Sequence, residues 1–306
     1  MAALVTNIGI VITGVAVRLT GSGLGCPTWP RCTDDSYVNT PEYGIHGLLE
    51  FGNRLLAFAV GLACLAALVA ALVQRRRRRG VVLLAAAVFI GIPAQAVLGG
   101  ITVLTGLNPW TVAGHFLLSI ALIYLAYALW VRSREGDGPR EWRAGAPVRW
   151  LVRGVVAVTA VVLVLGTVVT GSGPHAGDAA AARTGLDPEA MSQLHADSVF
   201  LLVGLTIGAW AALAANGAPA AVTRAAAVLL GIELSQGILG FVQYVTDLPV
   251  LLVGLHVAGA CATWVAALVL LFRLRTRKPT APSAVPPSAD HDDVAVMSRV
   301  STATTS

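Results

Sequence analysis

Charge is what this sequence has least of. Only 12% of its 306 residues are Asp, Glu, Lys or Arg, about half the share in an ordinary soluble domain. That scarcity excludes a normal water-facing surface. With 56% hydrophobic residues and a mean hydropathy of +0.75, the chain reads as a polytopic membrane protein. A basic region ahead of the first apolar run is also missing, so no cleavable signal peptide is expected. The pI near 9.4 does not signal nucleic acid, because the arginines fall in loops between apolar blocks.

Those blocks are what the sequence has in place of charge. About 20 apolar residues cross roughly 30 Å of hydrocarbon. The pattern predicts eight helices, at residues 1–20, 47–73, 81–104, 111–131, 150–171, 194–215, 222–245 and 250–272. The expected fold is all-α, with eight transmembrane helices in two repeated four-helix bundles. The expected units are 1–132 and 150–272, joined by a linker at 133–149 and followed by a disordered Pro- and Ser-rich tail at 273–306.

Arginine placement orients the chain. "RRRRR" at 75–79, the arginines between 132 and 153, Arg224 and the basic residues of the tail share one side. The other side keeps only Arg18, Arg31, Arg54 and Arg183. Both termini are therefore expected in the cytoplasm. The five-arginine run reads as a topology signal, not a lipid-signalling site.

Four cysteines are present. Cys64 and Cys261 fall inside helices and read as small apolar packers. Cys26 and Cys32 lie in an outer loop, "GLGCPTWPRC", where thiols tend to oxidise. A disulfide is expected there. The alternatives are two free thiols or a metal site, the latter disfavoured because no His precedes His46.

The halves repeat each other. "VRLTGSG" at 17–23 answers "TVVTGSG" at 167–173, and Gln95 to His115 matches Gln236 to His256 without a gap. His115 and His256 each stand about 25 Å from the arginine that ends their helix, at 1.5 Å per residue. His195 has the same outer place on helix six. A single His on an apolar face is more often a packed core residue than a ligand. Two from different helices at one depth suit bis-His heme ligation. Zinc is less suited, since neither His has further ligands close in sequence.

Helix two opens with "HGLLEFGNR", residues 46–54. Charges there cost about 2.5–3.5 kcal/mol each in hydrocarbon, so this face must line an interior. Together with "CPTWPRC", "TGSGPHAGD" and the outer histidines, this makes the chain resemble the heme A synthase family over everything but the tail. The resemblance implies oxidation of a methyl group of heme o to the formyl group of heme A, for terminal oxidase assembly. It implies a bacterial cell membrane, contact with heme o synthase and oxidase assembly proteins, resident heme b on His195 and His256, and His115 as ligand to the substrate heme. Glu50 would be catalytic, transferring protons or stabilising a cationic substrate intermediate, and Arg54 and Arg18 would meet heme propionates. Structural partnership of Glu50 with either arginine is the plainer reading.

The family's helix-two pattern is Glu, two residues, His, Arg. Here Glu50 and Arg54 match and Asn53 replaces the His. Asn is a poor iron ligand, and His46 lies about 10 Å further out. The expected first site therefore has His115 on one face and Asn53 beside an open one. His175 and Asp178 read as a lid, a propionate contact or an ordinary polar turn. Glu233 joins an interhelical network without assigned chemistry. The rival function is a non-enzymatic di-heme electron-transfer or heme-transfer protein, using the same histidines without needing Glu50.

Overall fold

In hydrocarbon every backbone N–H and C=O must be satisfied within the chain, and helices do this segment by segment. The computed structural model, which describes residues 1–74 and 77–277, accordingly has eight long helices. They are α1 (Ala2–Leu19), α2 (Gly44–Leu72), α3 (Arg79–Leu104), α4 (Pro109–Arg134), α5 (Ala146–Ser172), α6 (Pro188–Ala215), α7 (Ala220–Val245) and α8 (Val250–Arg273). All eight are long and apolar enough to cross a membrane. Their outward faces carry large apolar side chains such as Phe58, Phe200 and Ile238; in water such a surface would drive aggregation, and in lipid it is solvated.

The helix starts differ from the sequence reading where polar caps precede the apolar run. α6 begins at Pro188, not 194. Asp187 accepts a hydrogen bond from the Glu189 N–H, and Pro188 occupies the first helical position, where its missing N–H costs nothing. α4 starts the same way, with Asn108 accepting from Trp110 N–H ahead of Pro109. His195 and His115 are thus almost two turns inside their helices instead of opening them.

Contacts run α1–α2–α3–α4 and back to α1, and again α5–α6–α7–α8 and back to α5. The two rings meet through α1, α4, α5 and α8. Their interior is shared: one core joins Val11, Val60 and Ile123 to Leu163, Cys261 and Leu268. Trp264 Nε1 on α8 donates to the Ile120 carbonyl on α4 at 3.0 Å. Cys64 and Cys261 are buried and free, as expected of packers.

The linker and the start of the tail are not irregular. Arg140–Trp142 forms strand β1 and Arg275–Arg277 forms β2, paired antiparallel with Glu141 opposite Thr276. The disorder expected from 273 onward is therefore wrong for 273–277: Arg273 still belongs to α8, and β2 finds a partner 135 residues earlier in register. The rest of that expectation, 278–306, lies outside the described residues, as do Arg75 and Arg76. Arg79, read as loop, is the first residue of α3.

Candidate heme-binding sites

In the second ring, His195 on α6 and His256 on α8 face each other across the interior. Their ring centroids are 6.4 Å apart, with the planes crossing at 78°. Each imidazole sits over a glycine of the neighbouring helix. A Cβ on Gly166 of α5 would lie 3.3 Å from His195 Cε1, and one on Gly240 of α7 would lie 3.4 Å from His256 Cε1. These glycines let the rings turn inward against backbone. Nδ1 of both histidines is buried and has no hydrogen-bond partner. A buried imidazole nitrogen without a partner is costly unless something binds it; His195 in addition interacts with the backbone of Val162. Two metal–nitrogen bonds of about 2 Å plus two ring radii come to roughly 6 Å, so one metal atom fits between these rings. Among the described residues no group of three or more His, Cys, Asp or Glu is placed to hold a metal ion, so the two histidines stand as a pair without a third such ligand beside them.

The first ring has half of this arrangement. His115 on α4 lies over Gly99 of α3, where a Cβ would come within 3.0 Å of His115 Cε1, and its Nδ1 is also buried and unpaired. Gln95 on α3 donates to the His115 carbonyl at 3.1 Å and to Ser119 Oγ at 2.5 Å, fixing α3 against α4 at that height. Its counterpart Gln236 packs directly on Gly259 of α8. Across the first ring stands Asn53 on α2. Its Oδ1 accepts from Thr13 Oγ1 at 2.7 Å, which leaves the amide NH2 to donate. His46 is exposed and hydrogen-bonded through Nδ1 to Ser22 Oγ at 2.8 Å.

Glu50 is buried and engaged through both oxygens. Oε1 accepts from Arg54 Nη2 at 2.6 Å and Nε at 3.2 Å, and Oε2 accepts from the Cys26 N–H at 2.6 Å. Arg54 also donates to the carbonyls of Cys26, Thr28 and Arg31. Cys26 and Cys32 are joined by a disulfide, and Trp29 within that loop packs on Gly100 of α3. The loop is thus closed on itself and bolted to α2 and α3 over the first ring.

Arg18 donates to the carbonyls of His175 and Thr170 and has no carboxylate partner among the described residues. His175 donates from Nε2 to the Leu248 carbonyl at 2.8 Å, and Asp178 accepts from the Ala180 N–H within its own turn. These residues interlock the outer loops of the two rings. Glu233 accepts from Thr206 at 2.9 Å between α7 and α6, the interhelical network its position suggested.

The three seating glycines went unread in the sequence. Gly99 and Gly240 hold the same place in the repeat relative to His115 and His256, and that coincidence was the available signal.

Known proteins are similar to this chain in sequence. A heme A synthase of Lysinibacillus sphaericus is 30% identical over 176 residues, 55% of this chain and 56% of that protein. Those of Geobacillus kaustophilus and Bacillus licheniformis are 27% and 26% identical over 131 and 164 residues, covering 40% and 53% of their lengths. The chain spans about half the length of the curated relatives it matches. The family model COX15-CtaA, cytochrome oxidase assembly protein, matches residues 1–268. With that match running through all but the last turn of α8, the chain belongs to the COX15-CtaA family of cytochrome oxidase assembly proteins.

Proposed function

We propose that this protein is a heme A synthase of the bacterial cell membrane, oxidising a methyl group of heme o to the formyl group of heme A. The observation that carries the reading is the facing pair His195 and His256, 6.4 Å apart with both Nδ1 atoms buried and unpaired. The names of the similar proteins point the same way. In this reading residues 150–272 form the unit that holds heme b, and residues 1–132 form the unit that receives heme o. Both termini lie in the cytoplasm, where the arginines collect. Heme o synthase and oxidase assembly proteins are the partners this activity requires.

The chain's own contributions follow from the geometry. His195 and His256 hold heme b, which when bound supplies electron transfer. His115 binds the substrate heme from α4, held in height by Gln95. Asn53, anchored by Thr13, keeps its NH2 free to donate and, being a poor iron ligand, does not ligate. Arg54 and Glu50 hold the disulfide loop over the pocket and exclude water from it. Glu50 is also the carboxylate available to accept protons released by the oxidation, but it must first yield one of its present partners. His46 stays with Ser22 and takes no part in ligation.

The test is turnover. Purified protein in lipid, supplied with heme o, oxygen and a reductant, should yield heme A or its hydroxymethyl precursor in extracted heme. Heme o recovered unchanged, with heme b cycling normally, would instead establish the electron-transfer or heme-transfer alternative.

Asn53 gives a second test. Asn53→His restores an imidazole opposite His115 and should convert the first site from high-spin to low-spin in its absorption spectrum. His46→Ala should leave that spectrum unchanged. If His46→Ala abolishes a low-spin signal from the first site, His46 completes the coordination and Asn53 does not border an open face.

A further inference from the structure

At the arginine-rich end of the molecule, away from the histidines, β1 and β2 with α4, α5 and α8 line a half-open cavity of about 190 Å³. Four guanidinium groups line it, those of Arg140, Arg149, Arg153 and Arg275, together with the aromatic rings of Tyr124 and Trp142. Three of these arginines stack on aromatic rings, and Arg149 also donates to the Ala144 carbonyl at 3.2 Å. Arg149 lies 4.7 Å from the Trp142 ring centroid, Arg153 lies 4.5 Å from that of Trp150, and Arg275 lies 4.6 Å from that of Phe272. The ion pairs of Glu135 and Asp137 go to other arginines than these four.

The neighbouring arginines are treated differently. Arg78 and Arg132 both pair with Asp137, and Arg277 pairs with Glu135. Those hydrogen bonds hold the exposed Asp137 carboxyl below its ordinary range. At the cavity the balance is opposite. Burial pushes the Arg275 guanidinium below its ordinary value, and the nearby charges of Arg140 and Arg277 add to this against the pull of Glu135. Like charges gathered around a concave space repel one another unless an anion sits among them.

We propose that this cavity is a binding site for a phosphate-bearing anion at the membrane surface. A phosphate group matches guanidinium forks in shape and charge. Stacking on aromatic rings pre-orients the forks, so less side-chain freedom is lost on binding. Trp142 and Trp150 are half to largely exposed, as aromatic residues at a lipid headgroup layer are. Two sources have this chemistry, an anionic phospholipid headgroup and free phosphate. Neither depends on the heme reading, since the cavity shares no residue with the histidine sites.

The full chain, reconstituted in nanodiscs of mixed phosphatidylglycerol and phosphatidylcholine, should retain phosphatidylglycerol preferentially when released for native mass spectrometry. Arg140→Gln with Arg153→Gln should weaken that retention about thirtyfold, on the scale of two basic residues at an anionic surface. Both side chains are exposed, and an unchanged helical circular-dichroism signal with an unchanged thermal midpoint verifies folding. Arg134→Gln with Arg224→Gln removes the same charge from the same end outside the cavity and should leave retention intact. In a second arm, inorganic phosphate is titrated into delipidated protein in detergent and followed by calorimetry. Phosphate binding that the first pair abolishes, without lipid preference, assigns the site to a soluble phosphate. Absence of both ligands, or equal loss from the control pair, overturns the proposal.

Discussion

Replacing either His195 or His256 by alanine should remove the low-spin heme b spectrum from the purified protein. The two rings face each other at the spacing of an axial pair, and each is seated against a glycine of the neighbouring helix. Losing a partner that merely orients a metal ligand costs 10–100-fold in affinity. Loss of the ligand itself should therefore exceed about a hundredfold and leave little heme after purification. His115→Ala is the internal control, because it lies in the other ring and should leave the low-spin signal in place. The measurement is a reduced-minus-oxidised spectrum with quantified extracted heme. Full heme content with an unchanged spectrum in both single variants would refute the assignment.

Glu50→Ala should abolish heme A formation and leave heme b bound. The substitution strips Arg54 of its carboxylate and the Cys26 N–H of its acceptor in a largely buried place. Breaking a buried pair on one side costs about 3–5 kcal/mol. That loss should fall on the loop at 26–32 and be read as faster proteolysis or hydrogen exchange there, with the eight helices intact. Glu50→Gln separates two roles. Its amide oxygen still accepts from Cys26, so the loop stays closed more nearly as in the wild type. If turnover then recovers, Glu50 works by holding the loop; if turnover stays absent while the loop is protected, the carboxylate is needed for protons.

The eight spans were legible in the sequence because a bilayer demands long apolar runs, and such runs need no knowledge of partners. The matched intervals behind the expected repeat are read from the sequence for a related reason. A matched interval such as Gln95 to His115 and Gln236 to His256 puts side chains at one depth through helical rise alone. Family membership also followed from motifs that are contiguous in the chain, and the Cys26–Cys32 disulfide joins residues only six apart.

What the tertiary structure decided lies between segments distant in sequence. Glu50 could have met Arg18 or Arg54; packing gave it Arg54 and the Cys26 N–H, and sent Arg18 to carbonyls of the other ring. The glycine seats under His115, His195 and His256 come from neighbouring helices, so no single helix reveals them. The pairing of Arg140–Trp142 with Arg275–Arg277 depends on α4, α5 and α8 ending at one level, which apolar periodicity does not encode. Burial in lipid is a local property of each helix and can be read from composition. The choice among polar partners inside the bundle depends on helix rotation and relative height, and these are set only when the helices pack together.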